Sequence, residues 1–366
     1  MNARERFYHV MHFQQPDRLP FWDLEGFSEQ AVRLWCQQGF PLGATPDSYF
    51  GFDHRLLSGS VRLDEDPIPN FVPRKVAEDE EWVTTVDRYG FTVRTLKRQS
   101  VSPVVYYYVG GLVKDEADWA ALSRRYDGRD LRRYPKTWGE DLIAHSRSTS
   151  GLYGLFQYWG PGRASKNGYT MGLEEFLVAL HDRPALVEAM FSFWADFLID
   201  LLREMVSLAR VDYVFVSDDG LGYKDKSLIS PAMYRRFWMP HHRKVNDFLR
   251  ASGVDCIGFY SSGNVEALIP SMLEAGYNTF APLECAAGMD AVRLRREFGS
   301  DILLLGNLSR EAFQRGPEAI EEEFYAKVPW LVEQGGFIPA LDDLVMPDIP
   351  FAHYAHFVEL VRSFGG

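Results

Sequence analysis

From about residue 150 onward the chain repeats one hydrophobic pattern. A short apolar run of strand length ends in polar residues, and a longer stretch with apolar positions three and four apart follows it. The runs fall at 211–216, 255–259, 279–283, 301–305 and 336–340, and the amphipathic stretches at 231–251, 265–275, 291–298, 317–333 and 351–363. The punctuation agrees with this division. Ser230-Pro231 offers an N-cap followed by proline at the first helical position, and Gly253, Gly276 and Gly299 stand where helices end. An apolar run at 152–159, with a long helical stretch from 173 to 208, makes a sixth unit, and a strand at 19–24 a seventh.

Strands that alternate with helices pair in parallel through right-handed crossovers. The natural completion is a closed (β/α)8 barrel, expected here as a single domain over 1–366. An open doubly wound sheet is the alternative, and no Gly-x-Gly-x-x-Gly follows any of the runs. The stretch from 50 to 109 reads differently. Residues 83–86 and 91–96 alternate around Asp87-Arg88-Tyr89-Gly90, a hairpin signal, and 61–75 carry prolines with little periodicity. We therefore expect a β-hairpin extension over roughly 60–105 that packs beside the barrel and covers its mouth.

Composition narrows the function classes. The chain has 366 residues, 46% of them hydrophobic and 25% charged, which is globular composition with ample core-forming mass. A net charge of −12 argues against nucleic acid and anionic membrane as partners. Cys36, Cys256 and Cys285 are too few and too scattered for a disulfide framework. No run approaches the roughly 18 apolar residues of a membrane span, and no apolar segment follows the charged start, so a cytoplasmic protein is expected. Aromatic residues make up 14% of the chain, enough to fill a core and to line a pocket for a flat ligand.

In such a barrel the site forms where the strands end. The polar residues collected there are Asp23 and Glu25, Gln157 with Tyr158 and Trp159, Asp218 and Asp219, Tyr260 and Ser262, Glu284 and Cys285, Asn307, and Asp342 and Asp343. Adjacent carboxylates at Asp218-Asp219 repel, which favours a proton on one of them and an acid role. Tyr260 offers a proton or a hydrogen bond. Ser262 and the amides around Gly263 offer a cradle for an anionic or carbonyl oxygen. Glu284 is placed to orient a substrate, and Asp343 joins Asp218, Asp219 and Tyr260 as a catalytic candidate. Trp22, Glu25, Gln157, Trp159, Ser262, Asn264, Glu284, Cys285, Asn307 and Asp342 are the candidate substrate-binding set. Cys285 reads as a packed thiol, because no histidine lies near it in sequence to activate it. His353 and His356 share a face of the last helix, His241 and His242 point apart, and none of the histidines completes a metal signature.

An ordered set of motifs resembles the uroporphyrinogen decarboxylase superfamily. It begins with Arg4-Glu5-Arg6-Phe7 and Pro16-Asp17-Arg18-Leu19-Pro20, and continues through Ser217-Asp218-Asp219-Gly220, Ile229-Ser230-Pro231 and Phe259-Tyr260-Ser261-Ser262-Gly263-Asn264. Pro282-Leu283-Glu284, Gly288-Met289-Asp290, Gly306-Asn307 and Gly335-Gly336-Phe337-Ile338-Pro339 follow in order. The resemblance implies the (β/α)8 fold. It also implies decarboxylation or, in the branch of zinc-dependent methyltransferases that act on corrinoid proteins, methyl transfer. That branch places metal ligands where this chain has Tyr260 and Ser262, with a third near Asp342 or Asp343, a hard oxygen set ill suited to zinc. Decarboxylases carry Arg-Gln-Ala-Gly-Arg where this chain has Trp22-Asp23-Leu24-Glu25-Gly26, an acidic loop that repels a polycarboxylate. The expectation is methyl transfer or demethylation of a small substrate, with no tightly bound cofactor or metal and a corrinoid supplied by a partner protein. Decarboxylation of a porphyrinogen or other organic acid, and ligand binding without turnover, are the alternatives. The resemblance also implies pairing into a homodimer.

Overall fold

The computed structural model describes residues 1–98, 107–136, 138–139, 143–144, 146, 151–159, 170–218 and 221–364. Twelve strands appear among them: β1 Trp22–Asp23, β2 His54–Arg55, β3 Arg74–Glu78, β4 Trp82–Val86, β5 Thr92–Leu96, β6 Tyr107–Gly110, β7 Gly154–Tyr158, β8 Tyr213–Ser217, β9 Cys256–Tyr260, β10 Thr279–Ala281, β11 Leu303–Leu308 and β12 Phe337–Leu341. Strands β7 to β12 form one parallel sheet in sequence order, and β1 pairs with β2, also in parallel. Backbone bonds join the two sheets at both edges. Val61 donates to the Gly154 carbonyl at 2.8 Å and accepts from the Phe156 amide at 3.2 Å. On the other side Ser28 donates to the Val345 carbonyl at 2.9 Å and Val345 to that of Gly26 at 3.0 Å. Eight parallel strands thus run in a ring, the (β/α)8 architecture.

Strand alternation sorts side chains into two cores. Leu155, Val214, Ile257 and Leu304 face the helices, while Phe156, Phe215, Tyr260 and Leu305 fill the lumen. The helix Ala3–Met11, held by an Asn2–Glu5 capping box, closes the bottom of the barrel with Phe7, Val10 and Met11. A buried ion pair at 3.0 Å between Arg4 and Asp212 ties this helix to the start of β8, and the Tyr8 hydroxyl donates to the same carboxylate.

Two helices differ from the sequence expectation. The long stretch at 173–208 divides into Leu173–Asp182 and Pro184–Leu208. Pro184 has no amide to donate and crowds the residue before it, so Arg183 leaves the helical region at φ −135°. The stretch at 231–251 contains a π turn at Tyr234–Trp238, just ahead of Pro240.

The hairpin at 82–96 forms around Asp87, whose carboxylate accepts from the amides of Tyr89 and Phe91, each at 2.9 Å. It is the centre of a four-stranded antiparallel sheet in the order β3-β4-β5-β6. An Arg88–Asp66 ion pair at 3.0 Å docks the hairpin turn against the segment that follows β2.

Candidate active site

Tyr260 closes β9 with its side chain in the lumen, its ring edge-on to Phe156 at 5.2 Å. Its hydroxyl donates a hydrogen bond to the carboxylate of Glu25, just beyond β1. Around the ring β1, β2, β7, β8, β9, β10, β11, β12, strands β1 and β9 stand opposite one another. The bond therefore spans the mouth, joining two groups 235 residues apart in the chain.

Many of the other strand-end polar residues are staples between loops. Glu284 accepts from the Gly263 amide at 2.7 Å, so the backbone cradle expected at that turn is filled by the chain itself. Asn264 donates to the Ala287 carbonyl at 2.9 Å and accepts from the Glu266 amide at 3.0 Å. Asn307, fully buried at φ +63°, donates to the carbonyls of Leu283 and Met289 and accepts from the Ala291 amide at 2.9 Å. Asp342 accepts from the amides of Cys285 at 2.6 Å and Arg310 at 3.0 Å. Short polar side chains at strand ends reach neighbouring backbone with little entropy loss, which is why they serve this purpose.

Three expected site residues, the catalytic candidate Asp218 and the substrate-binding candidates Trp159 and Gln157, face away from the lumen. Asp218 is buried and accepts from the Trp238 indole at 2.9 Å, turned toward the helical layer by the π turn. Trp159 lies in that same layer against His242, with ring centroids 4.4 Å apart. Gln157 alternates outward with it, and its amide oriented to donate to Glu65 also accepts from the Leu63 amide at 2.9 Å. Trp22 does face the lumen, but below the mouth, stacked on Phe7 at 5.3 Å. Asp219 lies outside the described residues. Ser262 follows Tyr260 on the β9 turn, where Gly222 and Gly263 pack backbone to backbone: a Cβ on Gly222 would lie 2.1 Å from the Ser262 carbonyl oxygen.

A cleft of about 510 Å³ opens over the ends of β10 to β12, lined by Glu284, Cys285, Ser309, Arg310, Asp342 and Asp343. Burial pushes the Asp342 carboxyl up to about 6. Asp343 is paired with Arg310 at 2.7 Å. Burial also pushes the Cys285 thiol up, although Lys327 stands 3.4 Å from its sulfur, so it remains a packed thiol. His242 is buried, hydrogen-bonded through Nδ1 to Tyr234 at 2.9 Å, and held neutral with its pKa pushed down to about 3 by desolvation.

The residues at the zinc-ligand positions do not fit that metal. Tyr260 is bonded to Glu25, Asp342 spends both oxygens on backbone amides, Asp343 is paired with Arg310, and all are hard oxygen donors. Among the described residues no three His, Cys, Asp or Glu side chains converge on a metal-binding point.

Sequence reasoning missed Arg62 and Glu65. Glu65 is buried and accepts from the Tyr158 amide at 2.8 Å. The signal for Arg62 was the alternation Val61-Arg62-Leu63 beside a barrel strand, overlooked because proline-bearing sequence follows it.

The family described as uroporphyrinogen decarboxylase (URO-D) matches residues 163–364, more than half of the chain. The chain belongs to the uroporphyrinogen decarboxylase family. Within the family it is 31% identical over 219 residues to a uroporphyrinogen decarboxylase from Rhodococcus erythropolis (strain PR4 / NBRC 100887). That alignment covers 57% of this chain and 56% of the relative, so the chain spans about half the length of the curated relative it matches. A methyltransferase from Methanosarcina mazei superposes with a TM-score of 0.61 at 14% identity, covering all of both chains, which shows a shared fold. A B12-independent methionine synthase from Shewanella sp. W3-18-1 aligns with a TM-score of 0.46 at 12% identity, over 94% of this chain and 98% of that one. No helix among the described residues is long and apolar enough to cross a membrane.

Proposed function

We propose that this member of the family is an enzyme that transfers or removes a methyl group from a small substrate bound in the barrel mouth, in one-carbon metabolism. The observation that carries this reading is the Tyr260–Glu25 hydrogen bond at the zinc-ligand position. When the bond between the methyl carbon and its heteroatom breaks, the electron pair stays on the heteroatom, which then needs a proton. Tyr260 supplies it, Glu25 orients the hydroxyl and passes a solvent proton back, and the methyl carbon goes to an acceptor. A corrinoid carried by a partner protein is the acceptor class this reading names. Asp219 and Asp343 complete the proposed catalytic set. Porphyrinogen is a poor candidate substrate, because Glu25 stands on the loop where its carboxylates would have to bind.

The test offers the purified protein chemically reduced cobalamin and a panel of methylated amines, thiols and aryl ethers, and follows methylcobalamin absorbance. Tyr260→Phe should slow any transfer by roughly 100- to 10,000-fold. No methylcobalamin with any of the panel would sink methyl transfer. A second reading draws on the likeness to the uroporphyrinogen decarboxylase from Rhodococcus erythropolis. It is decarboxylation of a small organic acid, in which Tyr260 protonates the carbon that loses carbon dioxide. Release of carbon dioxide without methyl transfer would favour it.

A further inference from the structure

Glu25 sits on a loop that is pinned on both sides of it. The Leu24 carbonyl accepts from the Leu57 amide at 3.1 Å, and the Gly26 carbonyl accepts from the Val345 amide at 3.0 Å. Between these anchors the loop bends around Asp23, the last residue of β1. Trp22 and Leu24 on either side of it belong to the lumen core, so alternation turns Asp23 outward, where it is buried. One of its carboxylate oxygens accepts from the Gly26 amide at 3.1 Å. The other accepts at 2.8 Å from Nε of Arg55, the last residue of β2.

The carboxylate thus closes a turn over residues 23–26 with Glu25 inside it. Gly26 makes this closure possible. It holds φ at +95°, and a Cβ there would lie 2.8 Å from Arg55 Nη2. Arg55 is held from its far side by Asp47 at 2.6 Å, and its guanidinium carbon sits 5.6 Å from the Phe27 ring centroid. At the other end of the cross-lumen bond, Tyr260 is fixed by its strand and by Phe156. Glu25 is the partner with freedom, because it lies beyond β1 and its side chain has several rotatable bonds. Whether its carboxylate meets the Tyr260 hydroxyl therefore depends on where the turn places its backbone.

We propose that Asp23 is a positioning residue: paired with Arg55, it sets the turn that aims Glu25 across the barrel mouth at Tyr260. The catalytic consequence rests on the Tyr260–Glu25 reading, whereas the hydrogen bond itself is measured without any substrate. Asparagine is the discriminating substitution. A carboxylate offers an acceptor to both donors. An amide offers one acceptor and turns its N–H groups toward the other donor, so either the Gly26 or the Arg55 contact is lost.

NMR of the whole chain, with tyrosine isotope-labelled at Cζ, tests it. The Tyr260 resonance is the one missing from Tyr260→Phe, and Glu25→Gln gives the direction in which it moves when the charged acceptor is removed. Asp23→Asn should move the resonance in the same direction. Asp47→Asn removes an ion pair of the same Arg55 but spares the turn, and should leave the resonance where wild type has it. On any substrate that wild type turns over, Asp23→Asn should lower kcat by about 10- to 100-fold with KM little changed. Circular dichroism establishes folding. Were Asp23→Asn to unfold, a smaller move in Arg55→Lys, which keeps the charge but not the Nε donor, carries the test. A wild-type resonance in the folded Asp23 or Arg55 variant, or the same move in Asp47→Asn, would overturn the assignment and leave the Tyr260–Glu25 reading intact. No move in Glu25→Gln would sink that reading and this assignment with it.

Discussion

The carboxylate of Asp342 accepts the amide of Cys285 at 2.6 Å, bridging the loop after β12 to the loop after β10. Its other oxygen accepts from Arg310, so one buried side chain fastens three neighbouring loops at the barrel mouth.

That position has a pH signature. Burial raises the folded-state pKa of Asp342 from 3.8 to about 6, so the folded state holds its proton over a range where the unfolded chain has released it. Stability from this group is therefore present at low pH and lost as pH rises from about 4 to 6. The difference amounts to about 3 kcal/mol. Urea denaturation of wild type and Asp342→Asn between pH 4 and 7 isolates it. The stability of wild type relative to the variant should fall as pH rises, and a pH-independent difference would refute the assignment.

Removing the cross-barrel bond should separate activity from folding. Tyr260→Phe deletes one buried hydrogen bond and keeps the ring against Phe156. Its cost in stability should be about 1–2 kcal/mol. Turnover should fall through kcat by about 100-fold or more, with KM little changed, if the hydroxyl acts only as the bond breaks. Glu25→Gln should give a smaller loss of kcat. Thermal melting and steady-state kinetics read the two effects apart.

Metal content checks the chemistry of the β9 turn. Elemental analysis of the purified chain should find zinc well below one per chain, because Tyr260, Ser262 and the carboxylates at Asp342 and Asp343 offer no soft ligand. The double substitution Tyr260→His with Ser262→Cys should raise zinc affinity by at least about tenfold if the turn retains ligand geometry. Stoichiometric zinc in wild type contradicts this reading.

Asn307 should be a stability residue. Its amide satisfies three buried backbone groups, and its backbone is left-handed at φ +63°, where asparagine is tolerated better than most residues. Asn307→Ala should cost about 3 kcal/mol or more. Asn307→Asp should cost more still, because an acceptor would then face the carbonyls of Leu283 and Met289. Melting temperature decides, and a change within about 0.5 kcal/mol of wild type would show that the loop holds without it.

The barrel was legible in the sequence because its signals are local. Apolar runs at 211–216 and 255–259 mark strands whatever lies beside them, and Gly253 and Gly276 mark helix ends by a backbone conformation that other residues avoid. Strand-end position likewise placed Tyr260, Glu284 and Asp342 near the mouth. Local pattern could not say which partner each would take. Asn307 and Glu284 turned to backbone rather than to open space, Asp218 and Trp159 turned to the helices, and Glu25 met Tyr260 across the lumen. Those outcomes depend on which loops the closed ring brings within hydrogen-bond reach, and on the direction in which a strand's twist and a helix's π turn aim a side chain. The sequence by itself determined the repeating units and the chemistry available at their ends. Only the tertiary structure decided which of those groups were spent on holding loops together, because hydrogen bonding is short-ranged and the partners come from distant parts of the chain.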